Sequence, residues 1–339
     1  RDGTMAAHPL PQPDAAPLRF VINAAAGHGE ARSQAALIET MLREHRRPGE
    51  LLICTPADLV PTARRAAGES AASGGAVVAV GGDGTINAVA GAAHAAGCPL
   101  GIVPRGTFNY FARAHSIADD PLQALRALLH ARPKPVQVAA VNGQLFLVNA
   151  SLGLYPDLLQ DREAYKARFG RNRWVAFGAG VVTLLRAQRR LRLQLDTGDG
   201  RRTVRTLTLF VGNNPLQLAQ LGLPSDLQPP AAAADAPADP QQHGRLTAIM
   251  LRPVGTLEMI GLMAHGALGT LGEAPSVQHF RCTRMTVHLS PYPLGRRRVK
   301  VALDGEVTRM SGPLEFRVLE TPLQLLACDN QPDSSGGGG

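Results

Sequence analysis

From Leu18 to Val103 the chain alternates short runs of branched apolar residues with longer, alanine-rich stretches whose apolar positions recur every three or four residues. That rhythm predicts strands at Leu18–Asn23, Leu51–Cys54, Ala76–Val80 and Leu100–Val103, with helices at Glu30–Glu44, Pro56–Ser73 and Thr85–Ala96 between them. Strands separated by helices pair in parallel, so the pattern predicts a parallel sheet with helices on its faces. After about Val141 the apolar period drops to two. Leu191, Leu193 and Leu195 alternate with polar positions, a turn is predicted at Gly198–Gly200, and Val204–Val211 reads as the returning arm of an antiparallel hairpin. Further strands are expected at Leu145–Ala150, Leu246–Leu251, Met285–Leu289, Val299–Leu303 and Leu314–Leu319. The fold class expected is α/β: an N-terminal parallel-sheet domain followed by a second, mainly antiparallel β-sandwich domain.

The expected boundaries are a Pro/Ala-rich disordered leader at 1–17, an α/β domain at 18–140, a β-rich domain at 141–328 and a flexible tail at 329–339. A return of the last segment of 141–328 to the first domain is left open. Residues 222–243, rich in alanine and proline, read as a long irregular loop. At 339 residues and 45% hydrophobic content both domains can bury a core, which argues against a disordered, collagen-like or disulfide-stapled chain.

Charge adds a preference for partners. The formal net charge is +8, and of 35 basic residues only Lys134, Lys166 and Lys300 are lysines. An anionic partner is favoured, but 4% aromatic content argues against a base-stacking platform, so no nucleic acid is expected. Cys54, Cys98, Cys282 and Cys328 form no paired framework, which suggests a reducing, cytoplasmic setting. No uncharged apolar run reaches the roughly 18 residues a membrane-crossing helix needs. The ten histidines show no metal-ligand spacing, and no protein-held metal site is expected.

Three loops carry candidate chemistry. The strand ending at Val80 runs into Gly81-Gly82-Asp83-Gly84-Thr85-Ile86-Asn87 and then a helix. Glycines let backbone amides approach an anion, and a helix start adds unpaired N–H groups and a positive dipole end. Phosphate fits there, and Asp83 beside it suggests Mg²⁺-linked nucleotide chemistry. The first strand likewise ends in Asn23-Ala24-Ala25-Ala26-Gly27-His28-Gly29, and the fourth in Pro104-Arg105-Gly106-Thr107-Phe108-Asn109-Tyr110-Phe111-Ala112-Arg113. All three belong to the carboxyl edge of the sheet, where ligands of open α/β sheets bind. No glycine precedes a lysine, which excludes a Walker A loop, and Gly27-His28-Gly29 lacks the third glycine of a dinucleotide fingerprint.

These loops, with Val148–Pro156 and Asp304-Gly305-Glu306, resemble the diacylglycerol kinase catalytic-domain family of bacterial lipid kinases and sphingosine kinases. The resemblance implies a nucleotide-binding fold like those of NAD kinase and diacylglycerol kinase, with ATP held between two domains. By motif it implicates Asn23, Gly27, Gly81, Gly82, Asp83, Gly84, Thr85, Ile86, Asn87 and Thr107, with Thr55 a weaker candidate. It also implies that a carboxylate of the acidic turn takes the proton of the lipid hydroxyl: Glu306 as base, Asp304 as its partner, and Asp83 within the catalytic set. An alcohol is a weak nucleophile near neutral pH, so phosphorylating one needs a positioned proton acceptor and cations on the transferred group. Asp-Gly is equally the commonest hairpin turn.

Three positions depart from the family pattern. Ala24 replaces a proline, Tyr110 stands where many members carry aspartate, and His243-Gly244-Arg245 occupies the place of an aspartate turn that holds a structural Mg²⁺. Imidazole and guanidinium are poor ligands for a hard ion, so that secondary site is expected to be missing, while Mg²⁺ can arrive with ATP. The run Trp174–Leu185, bracketed by arginines, and the cluster Arg296, Arg297, Arg298 and Lys300 suit a membrane surface or an acyl pocket, or else a core helix and solvated charge.

The function expected is ATP- and Mg²⁺-dependent phosphorylation of a hydroxyl on diacylglycerol or a related lipid. It would serve phospholipid metabolism from a cytoplasmic position on the inner face of the membrane. An NAD kinase-like enzyme and a non-catalytic nucleotide- or lipid-binding relative are the alternatives, and a homodimer is left open.

Overall fold

The computed structural model describes residues 16–26, 28–106, 108–153, 191–198, 200–213, 244–253, 276–289 and 298–328. They divide into two compact units, one formed by the chain up to Val136 together with the segment from Pro322 onward, the other by Gln137–Thr321. In chain order the first unit contributes β1 (Leu18–Asn23), α1 (His28–Glu44), β2 (Gly49–Cys54), α2 (Leu59–Ser73), β3 (Ala76–Gly81), α3 (Asp83–Ala96), β4 (Leu100–Pro104), α4 (Tyr110–Ala114), α5 (Pro121–His130) and β5 (Arg132–Val136). The second contributes β6 (Ala139–Val141), β7 (Gln144–Phe146), β8 (Asn149–Gly153), β9 (Leu191–Asp196), β10 (Arg201–Thr206), β11 (Thr208–Gly212) and β12 (Leu246–Leu251). It continues with β13 (Val277–Cys282), β14 (Arg284–Leu289), β15 (Arg298–Leu303), β16 (Glu306–Ser311) and β17 (Leu314–Val318), and the chain returns to the first unit as β18 (Leu323–Ala327).

The first unit is a six-stranded sheet in the order β2-β1-β3-β4-β18-β5. Strands β1 to β4 pair in parallel, β18 joins β4 in parallel, and β5 closes the edge antiparallel to β18. Every residue of β3 is buried, as a parallel strand covered on both faces requires. Phe20, Ile22, Val78 and Val80 pack with Ile38 and Met41 of α1 and Leu125 and Leu128 of α5. Pro133 and Pro135 in β5 cost no ladder bonds that matter, because an edge strand has one side unpaired.

The second unit is a sandwich of two six-stranded antiparallel sheets, ordered β10-β9-β14-β17-β6-β7 and β13-β12-β11-β8-β15-β16. Their inner faces share one core that includes Phe146, Leu152, Leu195, Val211, Met285 and Phe316. Two sequence-predicted strands are divided. Val204–Val211 breaks at Leu207, so that β10 pairs with β9 in one sheet while β11 pairs with β8 and β12 in the other. The Thr206 hydroxyl secures this corner, 2.6 Å from the Thr208 carbonyl and 2.8 Å from that of Leu251. Leu145–Ala150 breaks between Phe146 and Asn149 in the same way. The run Trp174–Leu185 and nearly all of the 222–243 loop lie outside the described residues.

Candidate functional site

The first strand delivers Asn23 to the carboxyl edge of the sheet, where its Nδ2 donates to Thr85 Oγ1 at 2.9 Å and its Oδ1 accepts from the Ala25 amide at 3.1 Å. Thr85 is buried in the first turn of α3 and packs directly on Gly81: a Cβ added to Gly81 would lie 2.5 Å from the threonine hydroxyl. Glycine at 81 is therefore a packing requirement, and the first and second loops are joined by a side-chain hydrogen bond.

A second set of bonds joins the loops after β3 and β4. The Arg105 amide donates to the Gly81 carbonyl at 2.9 Å. Asp83, in the first turn of α3, accepts from the Asn109 amide at 3.1 Å through Oδ2 and from the Tyr110 amide at 3.0 Å through Oδ1, so it caps the start of α4. Burial pushes the Asp83 carboxyl above the usual aspartate value, opposed by these amide bonds. Gly106 approaches Gly82 so closely that a Cβ on Gly106 would lie 3.1 Å from the Gly82 Cα. Asn109, at φ 46°, accepts from the Gly106 amide and donates to the Gly106 carbonyl, both at 2.9 Å. The Arg105 guanidinium pairs with Glu30 of α1.

The arrangement holds small-residue backbone and the N-terminal turn of a fourteen-residue helix at one edge of the sheet. Such a place receives phosphate through amides and the helix dipole. The remaining candidates take different positions around it. Gly82, Gly84 and Asn87 are half-buried in the loop and first turns of α3, whereas the Ile86 side chain is buried and can meet a ligand only through its backbone. The Thr55 hydroxyl is engaged in its own turn, donating to Asp58 Oδ2 at 2.6 Å and accepting from the Asp58 amide at 3.3 Å. Gly27 and Thr107 lie outside the described residues. Asn109 and Glu30 were not singled out as binding residues in the sequence, whereas Arg105, which reads there as either a phosphate contact or a solvated charge, pairs with Glu30. An asparagine poised between a glycine and a helix start, where a positive φ is tolerated, was the available signal for the first.

Residues 17–141 match the family model described as the diacylglycerol kinase catalytic domain. Over this segment the chain is similar to that family. Over 119 residues the chain is 39% identical to a Serratia proteamaculans protein named "Probable lipid kinase YegS-like", covering 33% of this chain and 39% of that protein. The chain thus spans about two-fifths of that relative's length. A Staphylococcus aureus protein named "Putative lipid kinase" is 24% identical over 256 residues, covering 74% of this chain and 76% of that one. The fold is shared with a crystal structure titled as a "putative diacylglycerol kinase" from Bacillus anthracis, at a TM-score of 0.65 and 18% identity, covering 93% of this chain and 98% of that one.

The acidic turn belongs to the second unit. Asp304 and Gly305, at φ 47° and 91°, form the two-residue turn between β15 and β16, with Leu303 and Glu306 paired across it. Both central residues at positive φ make the type I′ turn that suits a twisted hairpin. The Asp304 carboxylate is turned inward: Oδ1 accepts from the amides of Val148 and Asn149 at 2.8 and 3.0 Å, and Oδ2 from that of Leu147 at 2.8 Å. These are the residues at which the predicted Leu145–Ala150 strand breaks. Glu306 is exposed and makes no side-chain hydrogen bond or ion pair among the described residues. The two carboxylates of the turn therefore differ in kind, one consumed by backbone amides and the other open to accept a proton.

Near Gly244 and Arg245 the structure places an amide network. Gln137 Oε1 accepts from the Gly244 amide at 2.6 Å, while its Nε2 donates to Asn213 Oδ1 at 2.7 Å and to the Arg245 carbonyl at 3.4 Å. His243 lies outside the described residues. Neither Gln137 nor Asn213 was marked by any motif; they are found only because three separated segments meet.

Proposed function

We propose that this protein is an ATP-dependent lipid kinase that transfers the γ-phosphate of ATP to a hydroxyl of diacylglycerol or a related lipid. The observation that carries the reading is the cross-linked trio of loops in the catalytic-domain segment. Asn23–Thr85, Asp83–Asn109 and Gly81–Arg105 bonds fix the Gly81–Asn87 loop against its neighbours, so its amides are preorganised for a phosphate chain. The names of the relatives and the family match support the same class of reaction.

Each residue has a stated part in this reading. Gly81 and Gly82 admit the phosphates, the first turn of α3 supplies N–H groups and dipole, and Asn23 and Asp83 hold the loops that present them. Glu306 takes the proton of the acceptor hydroxyl, and Asp304 holds the turn that carries Glu306. Among the described residues no group of three His, Cys, Asp or Glu side chains is placed to cage a metal ion. Mg²⁺ would enter with the phosphates of ATP, where it would neutralise charge on the transferred group. Among the described residues no helix is long and apolar enough to cross a membrane. The acceptor lipid is met at a bilayer surface, with the arginine-rich charge of +8 favouring anionic headgroups.

Radiolabelled ATP with Mg²⁺, offered diacylglycerol, ceramide, sphingosine and phosphatidylglycerol with NAD as control, tests the proposal. Label in a lipid product is expected. Label in NADP alone would move the assignment to the NAD kinase class, and no transfer to any acceptor would leave a binding module.

A further inference from the structure

The outer face of the sheet β10-β9-β14-β17 carries a charge arrangement that the phosphotransfer site does not use. Alternation along these strands sends Leu193, Leu195, Met285, Val287, Leu314 and Phe316 into the sandwich core. The opposite positions carry Arg192, Arg201, Arg205, Arg284 and Arg317, all exposed. Two carboxylates share the face: Asp196 pairs with Arg201 at 3.0 Å and Glu315 with Arg284 at 3.4 Å. Arg192, Arg205 and Arg317 make no side-chain hydrogen bond or ion pair among the described residues, which leaves three guanidinium groups in excess.

The register makes this surplus costly to the fold. Arg205 stands directly across from Arg192, and Arg284 directly across from Arg317. Like charges in directly opposed positions of an antiparallel pair repel, whereas alternating signs would stabilise it. The two pairs lie about six residue steps apart along the strands, roughly 20 Å, on a surface three inter-strand steps or about 14 Å wide. An anion spread over a plane of that size would relieve both repulsions together. A second copy of the same face would add to them.

We propose that this sheet face is the surface by which the protein docks on an anionic lipid bilayer. The choice of occupant rests on the lipid-kinase reading, which requires the protein to meet its acceptor at a membrane. The face itself favours a bilayer over nucleic acid: it is broad, bears two carboxylates and, among the described residues, presents no Phe, Tyr or Trp on which a base could stack, the half-buried His288 imidazole being its one ring. Forked guanidinium donors suit lipid phosphates, and each basic residue held near an anionic leaflet strengthens binding about five-fold. Three uncompensated arginines then contribute roughly a hundred-fold.

The test is co-flotation of the full chain, without ATP, with vesicles of phosphatidylcholine alone or of phosphatidylcholine mixed with phosphatidylglycerol. The parent protein should float only with the mixed vesicles and come off as salt shortens the screening length from about 10 Å to about 3 Å. The combined variant Arg192→Gln, Arg205→Gln, Arg317→Gln should bind roughly a hundred-fold more weakly, and Thr203→Arg, which adds a guanidinium to the same exposed face, about five-fold more tightly. Unchanged flotation of both variants overturns the proposal. So does a triple variant that loses retention on duplex DNA while still floating with the vesicles. Because no turnover is measured, absence of kinase activity would sink the proposed reaction and leave the docking result standing. Conversely, a triple variant that floats normally and phosphorylates detergent-dispersed lipid sinks the docking face alone.

Discussion

Asp304 and Glu306 sit two residues apart, yet replacing them one at a time should damage different properties of the protein. The Asp304 carboxylate satisfies three buried backbone amides at 2.8, 2.8 and 3.0 Å. A buried donor left without a partner costs about 1–3 kcal/mol, and the β7–β8 connection can relax only in part, so Asp304→Ala should lose about 3–5 kcal/mol. Against a total of about 5–15 kcal/mol for a folded domain, that is a large fraction. Asp304→Asn should cost less, about 1–3 kcal/mol. An amide oxygen can still serve Val148 and Asn149, asparagine tolerates the positive φ of 47°, and only the Leu147 amide would face an NH₂ group. Glu306→Gln changes an exposed side chain with no partner, so stability should stay within about 0.5 kcal/mol while phosphate transfer falls roughly 10²–10⁴-fold. Urea unfolding gives the first quantity and transfer rates at saturating ATP and lipid the second. If Asp304→Asn unfolds like the parent but is inactive, while Glu306→Gln transfers phosphate at the parental rate, the division of roles is reversed and the reasoning from hydrogen bonds fails.

Other expectations test separate features. Gly81→Ala forces a methyl group to within 2.5–2.8 Å of the buried Thr85 side chain, so a loss of about 1–3 kcal/mol and weaker ATP binding are expected by thermal unfolding and by calorimetry; an unchanged melting temperature would show that the loops are not jointly packed. His115 stacks edge-on against Phe111 at 4.6 Å, and burial lowers its pKa from 6.5 to about 4. It must stay neutral in the folded state, so its contribution is complete above pH 6.5 and is lost as pH falls toward 4, by about 3 kcal/mol. His115→Gln should flatten that part of the pH–stability curve, and an unaltered curve would count against the assignment. The Ser151 hydroxyl is fully buried and makes no hydrogen bond among the described residues, so Ser151→Ala should leave stability equal or raise it by about 1 kcal/mol; a clear drop in the unfolding midpoint would reveal a partner for the hydroxyl.

The local character of the chain was legible from residue order alone. Strand β1 and its helix α1, the all-apolar β3, and the glycine-rich bend before α3 each announce themselves within a window of some fifteen residues, because side-chain period and turn chemistry are short-range properties. Candidate phosphate-binding loops could be named for the same reason. Tertiary structure decided the rest. Residues 204–211 look like one strand, but Thr206 turns the chain from one sheet to the other at Leu207. Strand β5 carries two prolines and is absent from the strands predicted by pattern; it forms because β18, almost two hundred residues later, pairs with it. Asp304 and Glu306 are chemically alike on paper, and only the meeting of their hairpin with Leu147–Asn149 distinguishes a carboxylate that organises backbone from one that is free to take a proton. Periodicity reports which face of an element is buried, whereas the partner it is buried against depends on contacts between distant segments, whose energy no local pattern contains.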